Sequence, residues 1–406
     1  MNRRQLLMAA GAPAAFAAMP QKGRGGPRLQ KKLTGFAIRP DYLTEAEHIP
    51  GFWVSTFDGV QRFLTSNVRK GTVRTIGTTA GGRPIRAVFY GKPRSGAGTS
   101  TFSGALGYGD VRAWVGPDYE KKVYWGMAAI HGGEFEGIVG MVNLLAVLET
   151  GADLRGKRWP ELSAAAAALD RIVLLPIVNG DGRSRVPLRM GSHRGSDYTV
   201  AEYFNTGGRP DGSLIGWPQC KEYIPLDFSK TQFPGGYPND AGVNIQHDDF
   251  FGNPQPETRA LFTLAASERP DLTMNMHTGA TFVHPLRSFI EPALQPSFEG
   301  VYRSIMTALT KAGLQATDDP AKEANPSREG LWSSNLDSSI NMHCGALAVL
   351  VESPSHTFST AKRQGQPFLH TPEHLVDAQL ICHQQAMQFL VETGGRWRWT
   401  PNPRSK

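Results

Sequence analysis

The 406-residue chain is 40% hydrophobic and 19% charged, the balance of an ordinary soluble globule with enough apolar material for a large core. Its formal charge of +7 is not a nucleic-acid footprint: Arg3, Arg4, Lys22, Arg24, Arg28, Lys31 and Lys32 fall in the first 32 residues, which hold no acid, and the other 36 bases match the 36 acids. Three scattered cysteines (Cys220, Cys344, Cys382), with no Cys-x-x-Cys pair, exclude a disulfide scaffold and a thiolate zinc site and leave room for one bridge at most.

In chain order, residues 1–18 come first. Charged Asn2-Arg3-Arg4-Gln5, apolar Leu6 to Ala10 and small residues around Ala15 to Ala18 follow the plan of a signal peptide, and the paired arginines resemble a twin-arginine signal. The expectation is export, to the periplasm or the medium. No later stretch approaches the ~20 apolar residues of a spanning helix, so no membrane span is expected in the mature protein. Residues 19–36 read as a Gly- and Lys/Arg-rich linker. Thr44 to Asn67 reads mainly as helix with a break at Pro50-Gly51, and Val73 to Gly91 as a hairpin turning at Ala80-Gly81-Gly82.

Strands and helices then alternate. Strands are predicted over Val123–Ile130, Arg171–Val178, Leu272–Met276 and Ala346–Val351. Helices are predicted over Phe135–Glu149, Pro256–Glu268, Phe298–Ala312 and Thr371–Glu392, three of them closed by Gly151, Gly313 and Gly394-Gly395. This alternation predicts an α/β fold: one large domain over 37–395, with a twisted, mixed, mostly parallel central sheet covered by helices on both faces, and a tail over 396–406. Residues 183–241, rich in Gly, Pro, Arg and aromatics and without periodicity, read as a long functional loop such as a cleft wall.

His131-Gly132-Gly133-Glu134 directly follows a predicted strand, at the end where open α/β sheets place their ligands. Three-residue spacing brings both side chains to one side, imidazole nitrogen and carboxylate oxygen are both zinc ligands, and the glycines allow a tight backbone beneath a metal. Alone the motif is weak, since roughly one His-x-x-acid pair is expected by chance at this composition. A second such pair, His370-Thr371-Pro372-Glu373, is explained by helix capping: Thr371 as N-cap, Pro372 as first helical residue, Glu373 as first-turn acid.

The order of the later segments gives the first motif its weight. They are Asn179-Gly180-Asp181-Gly182, Gly242-Val243-Asn244, Pro256-Glu257-Thr258, Met276-His277 at one strand end and Val351-Glu352 at another. The series resembles the zinc carboxypeptidase family over about residues 37–395, as a divergent member. The resemblance implies that His131, Glu134 and His277 hold one zinc ion per chain, with a fourth position left for water, and that Glu352 is the general base toward that water. It also implies an arginine that polarises the scissile carbonyl, for which Arg189 and Arg194 are candidates and Arg194 has the better spacing.

The chain departs from the pattern at the substrate end. Asn244-Ile245-Gln246-His247 stands where the family has Asp-x-Asn-Arg: Asn244 can still accept a hydrogen bond from a ligand histidine, but Gln246 and His247 replace the pair that grips a terminal carboxylate, and imidazole imitates a guanidinium poorly. No tyrosine lies between Ala324 and Glu352, where Trp332 is the one large aromatic. Asp337 could be a pocket acid, or Leu336 could take that place. The expected function is an exported zinc hydrolase of peptide or amide bonds, carboxypeptidase-like with altered end-group recognition. The alternatives are a zinc deacylase or amidase on a non-peptide or cell-wall substrate, and a secreted, non-catalytic binding protein on this fold.

Overall fold

The computed structural model describes residues 36–99, 101–221, 225–248, 254–323 and 335–400. The leader, almost all of the linker, Trp332 and residues 401–406 lie outside them.

Seven strands form the main sheet: β1 (Thr72–Thr78), β2 (Pro84–Gly91), β3 (Val123–Ala128), β4 (Arg171–Leu175), β5 (Leu272–Thr278), β6 (His284–Leu286) and β7 (Leu347–Ser353), in the spatial order β1-β2-β4-β3-β5-β7-β6. The middle four, β4, β3, β5 and β7, run parallel. The hairpin β1–β2 and the short β6 close the two edges antiparallel. The parallel strands are apolar runs because helices cover both faces: Arg171–Leu175 and Leu347–Val351 are buried throughout. The fold is the mixed, mostly parallel α/β sheet that the alternation predicts.

On one face the Phe135–Thr150 and Pro372–Thr393 helices join Gln295–Lys311 around Ile138, Met141, Leu145, Ile305, Leu380 and Met387. On the other, Pro256–Glu268 and Leu336–Cys344 pack Leu261, Leu264, Leu336 and Ile340 onto Ile85, Trp125 and Leu175. The Phe135–Thr150 helix is apolar nearly all round, as a helix covered on every side must be. It lies close on β5 because a methyl at Gly137 would meet Met276.

Three readings need correction. The first helix is confined to Phe57–Asn67, because Thr56, whose hydroxyl accepts from Gly59 N, caps it there; the segment before Pro50-Gly51 instead bridges Glu45 to Gly191. The 183–241 segment is not all loop, since it contains the Thr199–Thr206 helix and a short 3-10 turn at Phe228–Lys230. Helices at Pro160–Ala167 and Leu336–Cys344 went unpredicted. The three cysteines are buried and free, so no bridge forms.

Candidate metal centre

Strand β3 ends at Ala128, and the chain turns through Ala129 at φ 54°, a left-handed conformation unusual for a residue with a side chain. The turn is held from beneath, where Val178 N and Asn179 N donate to the carbonyls of Ala128 and Ala129. His131-Gly132-Gly133-Glu134 then crosses over the Asn179–Gly182 turn, and Glu134 opens the Phe135–Thr150 helix. No side chain fits at Gly132: a methyl there would run into the backbone of Gly182 and Arg183, while its N–H donates to Gly236 O at 2.8 Å. Three stretches of backbone, 131–134, 179–183 and 235–237, are thus stacked under the site.

The ligand atoms of His131, Glu134 and His277 lie within 4.8 Å of one another, and all three residues are buried. His131 Nδ1 is 2.8 Å from Glu134 Oε1, and His277 Nδ1 is 3.1 Å from Glu134 Oε2. His131 Nε2 donates to Asn244 Oδ1 at 3.1 Å. The Asn244 amide is oriented by its own bonds, Nδ2 donating to Cys220 O and Oδ1 accepting from Gln246 N. An N–H on Nε2 leaves a lone pair on Nδ1, facing the cluster, as a metal-ligating imidazole requires. Glu134 also accepts from Asn205 Nδ2 (3.3 Å) and Thr278 N (3.1 Å). Two imidazole nitrogens and a carboxylate form a donor set that fits zinc; His131 and Glu134 are steadied from behind, while His277 Nε2 is buried without a hydrogen-bond partner among the described residues.

The electrostatics agree. Burial opposes ionisation of Glu134, yet the two imidazoles outweigh it and hold the carboxyl below the usual carboxylate range. Burial works against a charged His277 as well, but Glu134, Glu352 and Asp337 push it up to about 9. His131 moves the other way, lowered by burial. A proton on His277 therefore balances the negative charge that a divalent cation would otherwise neutralise.

Glu352 stands beside the cluster, its Cα paired with that of His277 across β5 and β7. Its Oε2 is sealed from solvent without a hydrogen-bond partner, and burial, aided by Glu134 and Asp337, raises its pKa to about 7. Tyr237 lays its ring flat on His131, with centroids 3.6 Å apart and 6° between planes. Glu136, buried two residues after Glu134, accepts from Thr278 Oγ1 (3.0 Å) and His356 N (2.8 Å) and so ties the ends of β5 and β7 together.

The remaining candidates are placed differently. Gln246 is turned to Asp337, its Nε2 3.0 Å from Oδ2, which also accepts from Asn275 Nδ2 at 3.1 Å. His247 is buried, its backbone N–H bonded to Asn244 O. Asp337 is fully buried and Leu336 lies in the core, so the acid and not the leucine faces the polar groups. Arg194 donates to the Asp41 carbonyl and Arg189 pairs with Glu45, so both reach toward the 39–45 segment, and among the described residues no hydrogen bond or ion pair joins either to the metal-ligand candidates. Asn205, Tyr237 and Glu136 were not foreseen: two come from the aperiodic segment, and Glu136 reads as an ordinary first-turn acid.

No family model and no curated protein matches the chain. Solved structures do. A Burkholderia mallei protein assigned as a carboxypeptidase is similar at TM-score 0.50 and 14% identity, over 82% of this chain and 67% of that one. A metallo-carboxypeptidase from Burkholderia cenocepacia is similar at TM-score 0.49 and 15% identity (83% and 70% covered), and carboxypeptidase A from Helicoverpa armigera at 0.45 and 12% (82% and 72%). By its likeness to the Burkholderia mallei structure, this chain's mixed, mostly parallel α/β sheet is a carboxypeptidase-like fold.

Proposed function

We propose that this chain is an exported, zinc-dependent hydrolase of peptide or amide bonds, related in chemistry to the carboxypeptidases but altered in how it recognises the end of its substrate. The observation that carries the reading is Glu352: a carboxylate oxygen sealed without a partner, in register with His277 and beside a buried His–Glu–His donor set. A buried, unpaired carboxylate is costly, and a catalytic base awaiting its proton donor accounts for it.

His131, Glu134 and His277 would hold the ion, with Asn244 and Asn205 steadying His131 and Glu134. When bound, zinc supplies Lewis-acid polarisation and makes water nucleophilic at neutral pH. Glu352 then accepts the proton released by the attacking water and returns it to the leaving nitrogen. Its raised pKa keeps the carboxylate basic enough to take that proton.

The substrate end is where a second reading gains ground. Gln246 is committed to Asp337, and His247 stands where a guanidinium would be needed, so, among the described residues, 244–248 do not reproduce a carboxylate clamp. This favours amide substrates without a free terminal carboxylate, as in a deacylase or amidase. The leader's charged, apolar, small-residue plan supports export, and among the described residues no helix is long and apolar enough to cross a membrane.

The test is a hydrolysis screen of the zinc-loaded protein with matched peptides whose C-termini are free or amidated, alongside N-acylated amines. Turnover of either class, abolished by chelation and restored by zinc, supports the reading. A zinc-loaded protein inert toward all three would point to a binding protein instead.

A further inference from the structure

Resting on that reading, we propose that the hydroxyl of Tyr237 is the hydrogen-bond donor to the carbonyl oxygen of the scissile bond, in place of an arginine. A hydrolase of this kind needs a fixed donor where negative charge develops on that oxygen. The arginines of the 183–194 stretch are all engaged elsewhere. Arg183 is buried against the carbonyls of Ser55, Val186 and Leu188. Arg185 binds the carbonyls of Gly235 and Pro238 and the carboxylate of Asp240. Arg189 and Arg194 hold the 39–45 segment. The side-chain amides nearest the cluster are each tied to a protein acceptor: Asn205 donates to Glu134, Asn244 to Cys220 O and Gln246 to Asp337.

Among the described residues beside the cluster, Tyr237 has a side-chain donor with no protein partner. Its ring is stacked on the metal-ligand candidate His131, which fixes the phenol at the edge of the cluster. Its backbone is clamped on both sides, the N–H donating to Asn205 O at 2.9 Å and the carbonyl accepting from Asn179 Nδ2 at 3.0 Å. The side chain is part-buried, and its hydroxyl makes no hydrogen bond with the described residues. A phenol whose ring is held against a metal-ligand candidate, with its O–H unspent among the described residues, can supply the donor a developing oxyanion requires. The proton stays on the phenol throughout, so the group polarises without transferring charge. A neutral donor also fits a site with no carboxylate clamp, since it adds no cation to attract a free C-terminus.

The experiment compares wild type with Tyr237→Phe, which keeps the ring stack and removes only the O–H. Zinc content is read by elemental analysis, and affinity for an N-acetyl phosphinic dipeptide amide, whose tetrahedral anionic centre mimics the transition state, by calorimetry. Turnover is measured on a substrate identified by the screen. The variant should hold the same zinc, bind the phosphinate roughly ten- to a hundredfold more weakly, and lose about 10²-fold in kcat with KM nearly unchanged. Equal phosphinate affinity in the two zinc-loaded proteins, or a zinc-loaded wild type that does not bind the phosphinate, overturns the proposal. A wild type that hydrolyses nothing while binding the phosphinate through Tyr237 sinks the hydrolase reading and leaves the donor assigned. A wild type that takes up no zinc sinks both.

Discussion

His277 and Glu352 face each other in register on the neighbouring parallel strands β5 and β7, so the third metal-ligand candidate and the base candidate are set apart by a strand spacing rather than by loop geometry. Their separation is built into the sheet. Replacing Glu352 with Gln should therefore leave the zinc content unchanged and cost at least about 10²-fold in turnover. Because burial lifts its pKa to about 7 and only the unprotonated form can act, kcat/KM should fall as pH drops through that value. A bound cation lowers that midpoint, so the acid limb in the loaded enzyme should lie at or below about pH 7. A Gln variant with near-wild-type turnover would move the base elsewhere.

The hydrogen bond from His131 Nε2 to Asn244 Oδ1 makes a second prediction. Asn244→Ala should weaken zinc binding about 10- to 100-fold, the usual cost of losing a partner behind a ligating histidine. Asn244→Asp, a stronger acceptor, should bind zinc at least as tightly as wild type. Titration against a chelator of known affinity measures both, and an Ala variant as tight as wild type would refute the orienting role.

With Gln246 bound to Asp337 and no arginine at His247, the enzyme should discriminate little between a peptide acid and its amide. A retained guanidinium–carboxylate contact would contribute about 1.5–3 kcal/mol, a factor of roughly ten to a hundred or more. The kcat/KM ratio for a matched acid and amide reads this directly. A large preference for the acid would show that another cation grips the terminus.

Acid should destabilise the fold before most carboxylates titrate. His383 is buried under the hydroxyl of Tyr124 (2.6 Å to Nδ1), and His370 donates to Thr281 O; burial lowers their pKa values to about 3 and about 4. Unfolding releases both to an ordinary value near 6.5, so the unfolded state takes up protons that the native state refuses. Stability is thus fully present above about pH 6.5 and is lost as pH falls toward 4, by at most about 1.4 kcal/mol per pH unit for each histidine. Urea midpoints at pH 7.5 and 5 test this, and His383→Asn, which can still accept from Tyr124 but does not titrate, should flatten the slope.

The parts of the site that were legible in sequence are those fixed by regular structure. His131, His277 and Glu352 each sit at or just past the end of an apolar strand run, and the glycines between His131 and Glu134 announce a close backbone approach. What was not legible depends on how an aperiodic segment folds back. Asn205 sits on a helix of only eight residues with no strong pattern, and Tyr237 within Pro234-Gly235-Gly236-Tyr237-Pro238, which reads as turn punctuation. Arg194 lies in the same aperiodic segment, where its spacing along the chain gave no sign of its bond to the Asp41 carbonyl. At the other end, Thr44 to Ile49 has a helix-like composition, but the cap that decides the start lies at Thr56.

The stacked backbone beneath the cluster has a consequence for how such a protein can vary. The excursion that leaves after Gly182 returns at Gly236, where its carbonyl accepts from Gly132 N and the Asn179 amide reaches the Tyr237 carbonyl, so its two ends are pinned together at the metal ligands. The entropy of closing a loop grows only slowly with its length, each doubling adding about 0.6 kcal/mol. Residues can therefore be gained or lost at the excursion's exposed stretches, such as 195–198 and 210–213, at little thermodynamic penalty and without moving His131 or Glu134. The outer turns of the excursion are free to diverge, while Asn205 and Cys220, which reach the cluster from within it, are held to their places.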